Sequence, residues 1–175
     1  MENLYIIGYM ASGKTTFGRA LAEKTGRAFI DLDEEIEKTT GETVASLIGR
    51  LGIDAFRELE KNVLHSLHHR RKAIIACGGG TPCHYDNMDY MNSRGATLWL
   101  KATPERIALR VREAGPTRPL LAALSDEELP AYIERNLKER EPFYSKAKLS
   151  FSGEHLENEK EIAESVDNFL QSNHL

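Results

Sequence analysis

Short apolar runs that alternate with longer helical patterns predict an α/β chain of stacked βαβ units, with helices on both faces of a parallel sheet. The runs are continuously apolar, as strands buried on both sides must be. The first of them ends in a glycine-rich turn that opens a helix, the usual grammar of a βα unit.

Strands are expected at residues 4–7, 28–32, 73–77, 96–100 and 148–151. Five parallel strands need four crossovers, and helical patterns fill each gap, at 14–25, 33–39 with 44–50, 54–71, 86–93, 104–113 and 126–144. In the 54–71 helix Phe56, Leu59, Val63 and Leu67 form the core stripe, and in 126–144 Leu129, Ile133 and Leu137 do. A closing helix at 159–170 carries Ile162, Val166, Phe169 and Leu170 on one side and should dock on the sheet. Residues 114–125 break the regularity: Gly115, Pro116 and Pro119 surround Arg118, as in an irregular excursion that can cover an active site.

With 175 residues the chain suits one domain, residues 1–175, burying roughly 70% of its unfolded surface. Its 23 Lys+Arg against 27 Asp+Glu give a net charge of −4, and 41% of residues are hydrophobic. That balance argues against disorder and against a nucleic-acid-coating surface. No apolar run nears the roughly 18 residues of a membrane span, and the start has neither a basic region nor a cleavage site. A cytoplasmic, monomeric protein without membrane or nucleic-acid partners is expected. Cys77 and Cys83 are too few for a disulfide scaffold and, with His84, too irregularly spaced for zinc, so they read as packing. His65 and His69, next to Arg70 and Arg71, read as a solvated helix end.

Gly8, Gly13, Lys14 and Thr15 match G-x-x-x-x-G-K-[ST] between a strand and a helix. Two glycines let successive N–H groups point inward, and the helix N-terminus adds partial positive charge, so a triphosphate fits. Lys14 would reach the β- and γ-phosphates, the Thr15 hydroxyl would coordinate Mg²⁺, and Thr16 would add a hydroxyl at the α-phosphate. Neither D-x-x-G nor N-K-x-D occurs, so a GTPase is disfavoured. The strands at 73–77 and 96–100 also lack the terminal Asp of the larger ATPases, which leaves a compact kinase of a small acceptor.

Asp31 and Asp33 fall at the C-terminal end of the second strand, where open α/β sheets place ligands, and strand alternation would send both carboxylates to one side. Asp31 is assigned to the metal and Asp33 to the acceptor hydroxyl, although Asp33 is also a good N-cap for the helix that follows. Arg57 and Glu60 lie one turn apart, either an ordinary surface ion pair or an arginine held for an anion. Arg140 falls where the 126–144 stripe calls for an apolar residue: it either snorkels or grips a carboxylate. Gly78, Gly79 and Gly80 follow the third strand, so something must approach that backbone closely, and the run should line the acceptor pocket with N–H groups.

This ordered set, with Phe56-Arg57, Arg118-Pro-Leu-Leu121, Thr40-Gly41 through Ile48, and Arg140-Glu-Pro-Phe-Tyr144, closely resembles the shikimate kinase family over almost the whole chain. The resemblance implies a nucleoside-monophosphate-kinase-like fold, strand order 2-3-1-4-5, and transfer of the ATP γ-phosphate to the 3-hydroxyl of shikimate, a step in chorismate and aromatic amino acid synthesis. It places Ala11, Ser12, Gly13, Lys14, Thr15 and Thr16 on the nucleotide, Thr15 on Mg²⁺, and Asp33, Arg57, Gly79 and Arg140 on shikimate. Arg118 corresponds to a lid arginine that closes on ATP, and Arg110 falls near an arginine that stacks on adenine. After the last strand, where the family often has another basic residue, residues 152–157 are acidic. Gluconate kinases and nucleoside monophosphate kinases are the nearest rival enzymes. A nucleotide acceptor would set phosphate against Asp33, and a gluconate-type enzyme would not need the Arg118 run. A non-catalytic ATP-binding module is the rival of a different kind, and it could dispense with Lys14 and Asp33.

Overall fold

The computed structural model describes residues 2–115, 121 and 124–173. Five parallel strands, β1 (Asn3–Ile7), β2 (Ala28–Asp31), β3 (Ala73–Ala76), β4 (Gly95–Lys101) and β5 (Leu149–Ser152), form one sheet in the order β2-β3-β1-β4-β5. That is the order the resemblance implies. β1 is central, with Tyr5 in register with Ile75 of β3 and Thr97 of β4.

Side-chain alternation divides the core in two. Leu4 and Ile6 meet α1 (Lys14–Thr25) and the C-terminal helix α8 (Glu159–Asn173) through Phe17, Leu21, Val166 and Phe169. Tyr5 and Ile7 face α2 (Leu32–Thr40), α3 (Val44–Leu51), α4 (Ile53–Ser66) and α5 (Asn87–Arg94) through Ile36, Leu47, Phe56 and Met91. A third cluster joins Tyr9 to α6 (Pro104–Glu113) and α7 (Glu128–Tyr144) through Ile107, Leu121, Leu129 and Ile133.

Most boundaries shift by one to three residues from the sequence expectation, and two of the differences have a plain physical reason. Leu32 starts α2 instead of ending β2, because the Asp31 carboxylate accepts the Asp33 N–H (3.1 Å) and caps the helix there. α4 stops at Ser66, where the Ser66 hydroxyl bonds back to the Val63 carbonyl (2.7 Å), and a 3-10 turn at Leu67–His69 follows. His69 is exposed as expected, but His65 is partly buried and stacks on Tyr90 at 3.8 Å. Cys77 is buried among apolar side chains, in keeping with a packing role.

Phe169 is fully buried, with the Phe17 ring centroid 5.5 Å away and that of Phe151 5.4 Å away. Phe169→Ala is therefore expected to lower the unfolding free energy by about 3–5 kcal/mol. Urea titration should show this as a lower midpoint with an unchanged slope.

Candidate active site

β1 delivers the chain into a strained loop. Gly8 (φ 147°), Ala11 (φ 57°) and Gly13 (φ 96°) all take positive φ. A Cβ on Gly8 would lie 2.5 Å from the Leu100 carbonyl oxygen, so this position needs glycine for space as well as for dihedral freedom. At Ala11 the left-handed conformation opposes the residue's own preference by roughly 1–2 kcal/mol, and sequence gave no sign of it. Gly13 begins α1 without a side-chain cap, which leaves the first-turn N–H groups to the cleft. Lys14 Nζ donates to the Tyr9 carbonyl at 2.7 Å, so it is held across the mouth of the loop. The Ser12 hydroxyl is buried with no hydrogen-bond partner among the described residues.

A cleft of about 590 Å³ opens over this loop at the C-terminal edge of the sheet. Lys14, Thr15 and Thr16 line it beside Asp31, Asp33, Gly78 and Gly79, and Arg110 and Glu157 stand at its far end. The Thr15 hydroxyl donates to Asp31 Oδ2 at 2.8 Å. One alcohol and one carboxylate oxygen already side by side form a hard donor set of the kind Mg²⁺ takes together with phosphate oxygens and water.

Asp33 is not the helix cap; Asp31 is. Strand alternation does not unite the two carboxylates either, since β2 ends at Asp31, but the first turn of α2 still brings Asp33 to the same cleft. Asp33 as a residue is exposed, yet the protein crowded round its carboxyl pushes the pKa up to about 6. Burial is the main cause; the negative charges of Asp31 and Glu60 add to it, and Lys14 opposes it.

The three glycines make room for side chains, not for a strained backbone. A Cβ at Gly78 would meet Glu60, Thr81 and Asp33, one at Gly79 would lie 3.3 Å from Arg140 Nη1, and one at Gly80 would collide with the Arg57 guanidinium. Two guanidiniums lie against this run, and Gly78 and Gly79 line the cleft. Arg57 and Glu60 are no surface pair: Glu60 is 1% exposed, bonds Arg57 Nη1 at 2.8 Å and accepts the Thr81 hydroxyl at 2.6 Å. Arg57 Nε is buried with no partner among the described residues. Arg140 does not merely snorkel; its guanidinium lies over the Tyr9 ring, 4.9 Å from the centroid, and makes no ion pair among the described residues.

Sequence reasoning missed Tyr144, whose buried hydroxyl donates to the Gly79 carbonyl at 2.5 Å and also bonds Arg140. The signal was available: Tyr144 stands one helical turn after Arg140. Arg118 and its prolines lie outside the described residues.

A phosphate-binding loop and a raised-pKa carboxylate that line one cleft, with Arg57 and Arg140 packed on the glycine run beside it, define the class of P-loop phosphotransferases. Residues 10–171 match the family model for shikimate kinase, and a shikimate kinase of Phocaeicola vulgatus is 46% identical over 167 residues, covering 95% of each chain. The chain belongs to the shikimate kinase family, transferases that phosphorylate shikimate for aromatic amino acid synthesis. The crystal structure of shikimate kinase from Bacteroides thetaiotaomicron is similar, with a TM-score of 0.94 at 40% identity over 99% of both chains. That of the Acinetobacter baumannii enzyme in complex with shikimate gives 0.84 at 33% identity, covering 100% of this chain and 96% of that one.

Gly80 has an ordinary φ of −92°, so Gly80→Ala adds no backbone strain, but it displaces the Arg57 guanidinium and loosens its pair with buried Glu60. Steady-state kinetics should show KM for shikimate raised by about tenfold or more, the equivalent of ~1.4 kcal/mol or more, with KM for ATP nearly unchanged.

Proposed function

We propose that the residues of this cleft divide the transfer of the ATP γ-phosphate to the shikimate 3-hydroxyl among themselves as follows. The observation that carries the assignment is Arg140: a partly buried guanidinium with no carboxylate partner among the described residues, set on the same glycine run as Arg57. Both arginines take the shikimate carboxylate, and Arg57 Nε offers a donor with no partner of its own among the described residues. Gly78, Gly79 and Gly80 wall the acceptor. Asp33 orients the hydroxyl and accepts its proton as the oxygen attacks the γ-phosphorus; the bond to the β–γ bridging oxygen breaks and ADP leaves. Lys14 meets the charge spreading over the phosphoryl oxygens.

Ala11, Ser12, Gly13, Lys14, Thr15 and Thr16 hold the phosphates, supported by the loop's positive-φ backbone and the uncapped start of α1. Arg110 serves the nucleobase end of the cleft. Thr15 and Asp31 would hold Mg²⁺, which would supply charge neutralisation at the phosphates. ATP and shikimate are the only partners in this reading. The described cysteines are free, which suits the cytoplasm. Among the described residues no helix is long and apolar enough to cross a membrane. Residues 1–175 then work as one domain, with 114–125 as a cover that brings Arg118 onto ATP. In support, Leu121 and Leu124 belong to the cluster that also contains Tyr9 of the phosphate loop.

Because the folded state holds the Asp33 proton more tightly than the unfolded chain, Asp33 weakens the fold progressively as pH rises from 3.8 to about 6. Asp33→Asn should thus melt at an equal or higher temperature at pH 7, while kcat falls by about 10²–10⁴-fold. Calorimetry and a coupled ADP assay read the two effects separately, and near-normal turnover would remove Asp33 from the chemistry.

A protonated Asp33 cannot accept the hydroxyl proton. In the unsubstituted enzyme kcat/KM for shikimate should therefore drop as pH falls through about 6, which a pH–rate profile checks.

For Arg140→Ala, titration calorimetry should show shikimate binding weakened by roughly 2–5 kcal/mol with ATP affinity retained. Unchanged shikimate binding would return Arg140 to a packing role.

A further inference from the structure

Arg110 reaches from α6 to the far end of the cleft, and almost every edge of its guanidinium is taken. Nε donates to Glu157 Oε1 at 2.9 Å, Nη1 to the Ala11 carbonyl at 3.2 Å and Nη2 to the Gly153 carbonyl at 2.7 Å; Nη2 also lies 2.7 Å from Glu157 Oε1. The second Glu157 oxygen accepts the Leu156 N–H at 2.9 Å, so the carboxylate is itself fixed. Arg106 approaches Glu157 at 3.6 Å from one turn earlier on α6.

The acidic segment is also packed onto the phosphate loop. A Cβ on Gly13 would fall 2.4 Å from Leu156 Cδ1, and one on Gly153 would fall 2.5 Å from the Ser12 carbonyl oxygen. The Arg110–Glu157 pair therefore joins α6, the loop after β5 and the phosphate loop at a single point. A guanidinium whose N–H edges are turned to protein acceptors has little left to donate to a phosphate. Because Arg110 lines the cleft, what remains to it there is the guanidinium face, and such a face attracts an aromatic ring.

We propose that Glu157 is a positioning residue of the nucleotide site: it holds Arg110 edge-on to the protein, so that the guanidinium face meets the base of ATP instead of its phosphates. The proposal rests on the assignment of Arg110 to the nucleotide end of the cleft, and it gives the acidic segment after β5 a role in base recognition. Glu157→Gln removes the charge that fixes the guanidinium while nearly preserving shape. The side chain is 29% exposed, so the fold should survive the change.

The test compares ATP with ribose 5-triphosphate, which has the same phosphates and no base, in the unsubstituted enzyme, Glu157→Gln and Arg110→Ala. Melting temperatures without nucleotide verify that each variant is folded. For Glu157→Gln, KM for ATP should rise by about fivefold to tenfold, the size of one partly desolvated cation–π contact. KM for ribose 5-triphosphate, KM for shikimate and kcat should stay within about twofold. An equal rise for both nucleotides would overturn the proposal, since Glu157 would then serve the phosphates or merely hold the segment. A rise with Arg110→Ala but none with Glu157→Gln would overturn the positioning role and leave Arg110 at the nucleotide. No rise with Arg110→Ala would overturn both assignments.

Discussion

The charged groups beside the cleft come together because residues 78–80 carry no side chains. Glu60 and Thr81 crowd the Cβ position of Gly78, the Met10 backbone and Arg140 that of Gly79, and the Arg57 guanidinium fills that of Gly80. None of the three glycines has a positive φ, so conformational freedom is not what this run supplies. It supplies close approach, and it allows a cation–anion–cation cluster to be built against backbone at the edge of a sheet. A side chain at Gly80 would displace the Arg57 guanidinium, and one at Gly78 or Gly79 would press on Glu60 or on the phosphate loop.

Charge in this cluster is arranged so that only some of it is spent internally. Glu60 is buried, and its oxygens are taken by Arg57 and Thr81; Asn87 then holds the Thr81 carbonyl at 2.9 Å. A buried carboxylate with its acceptors filled is a fixed support, whereas Asp33 keeps an oxygen toward the cleft and has its pKa raised by burial and by its anionic neighbours. The same division holds among the cations. Arg57 is half engaged, Arg140 rests on an aromatic ring and a tyrosine hydroxyl, and Arg110 has its edges turned to protein acceptors. The three arginines thus differ in how many donors the protein itself has taken up.

The nucleotide side depends on a backbone that is strained in place. Ala11 sits in the left-handed region between two positive-φ glycines, and Leu156 and Gly153 press on the loop from the segment after β5. Such strain persists only when the surroundings over-determine it. Here β1, the central strand, anchors the loop on one side, and the Arg110–Glu157 junction braces it on the other.

Local regularities in the sequence determined the fold class, the strands and helices to within a few residues, the phosphate loop and the candidates Asp33, Arg57 and Arg140. Each is written in short-range spacing: period-2 and period-3.6 patterns, a glycine–lysine–threonine motif, and an arginine at an apolar stripe position. Other facts could not be read that way. Asp31, not Asp33, caps α2 because β2 ends one residue sooner than its apolar run, a boundary that pairing to β3 sets. Glu60 is a buried support and not a surface charge because Thr81 reaches it across 21 residues of chain. Tyr144 holds Gly79 across 65 residues, and Arg110 finds Glu157 across 47. No local period encodes contacts at such separations. Only the packing of the sheet edge brings those groups together, and with them the burial that sets their charge and the partners that leave each one free or engaged.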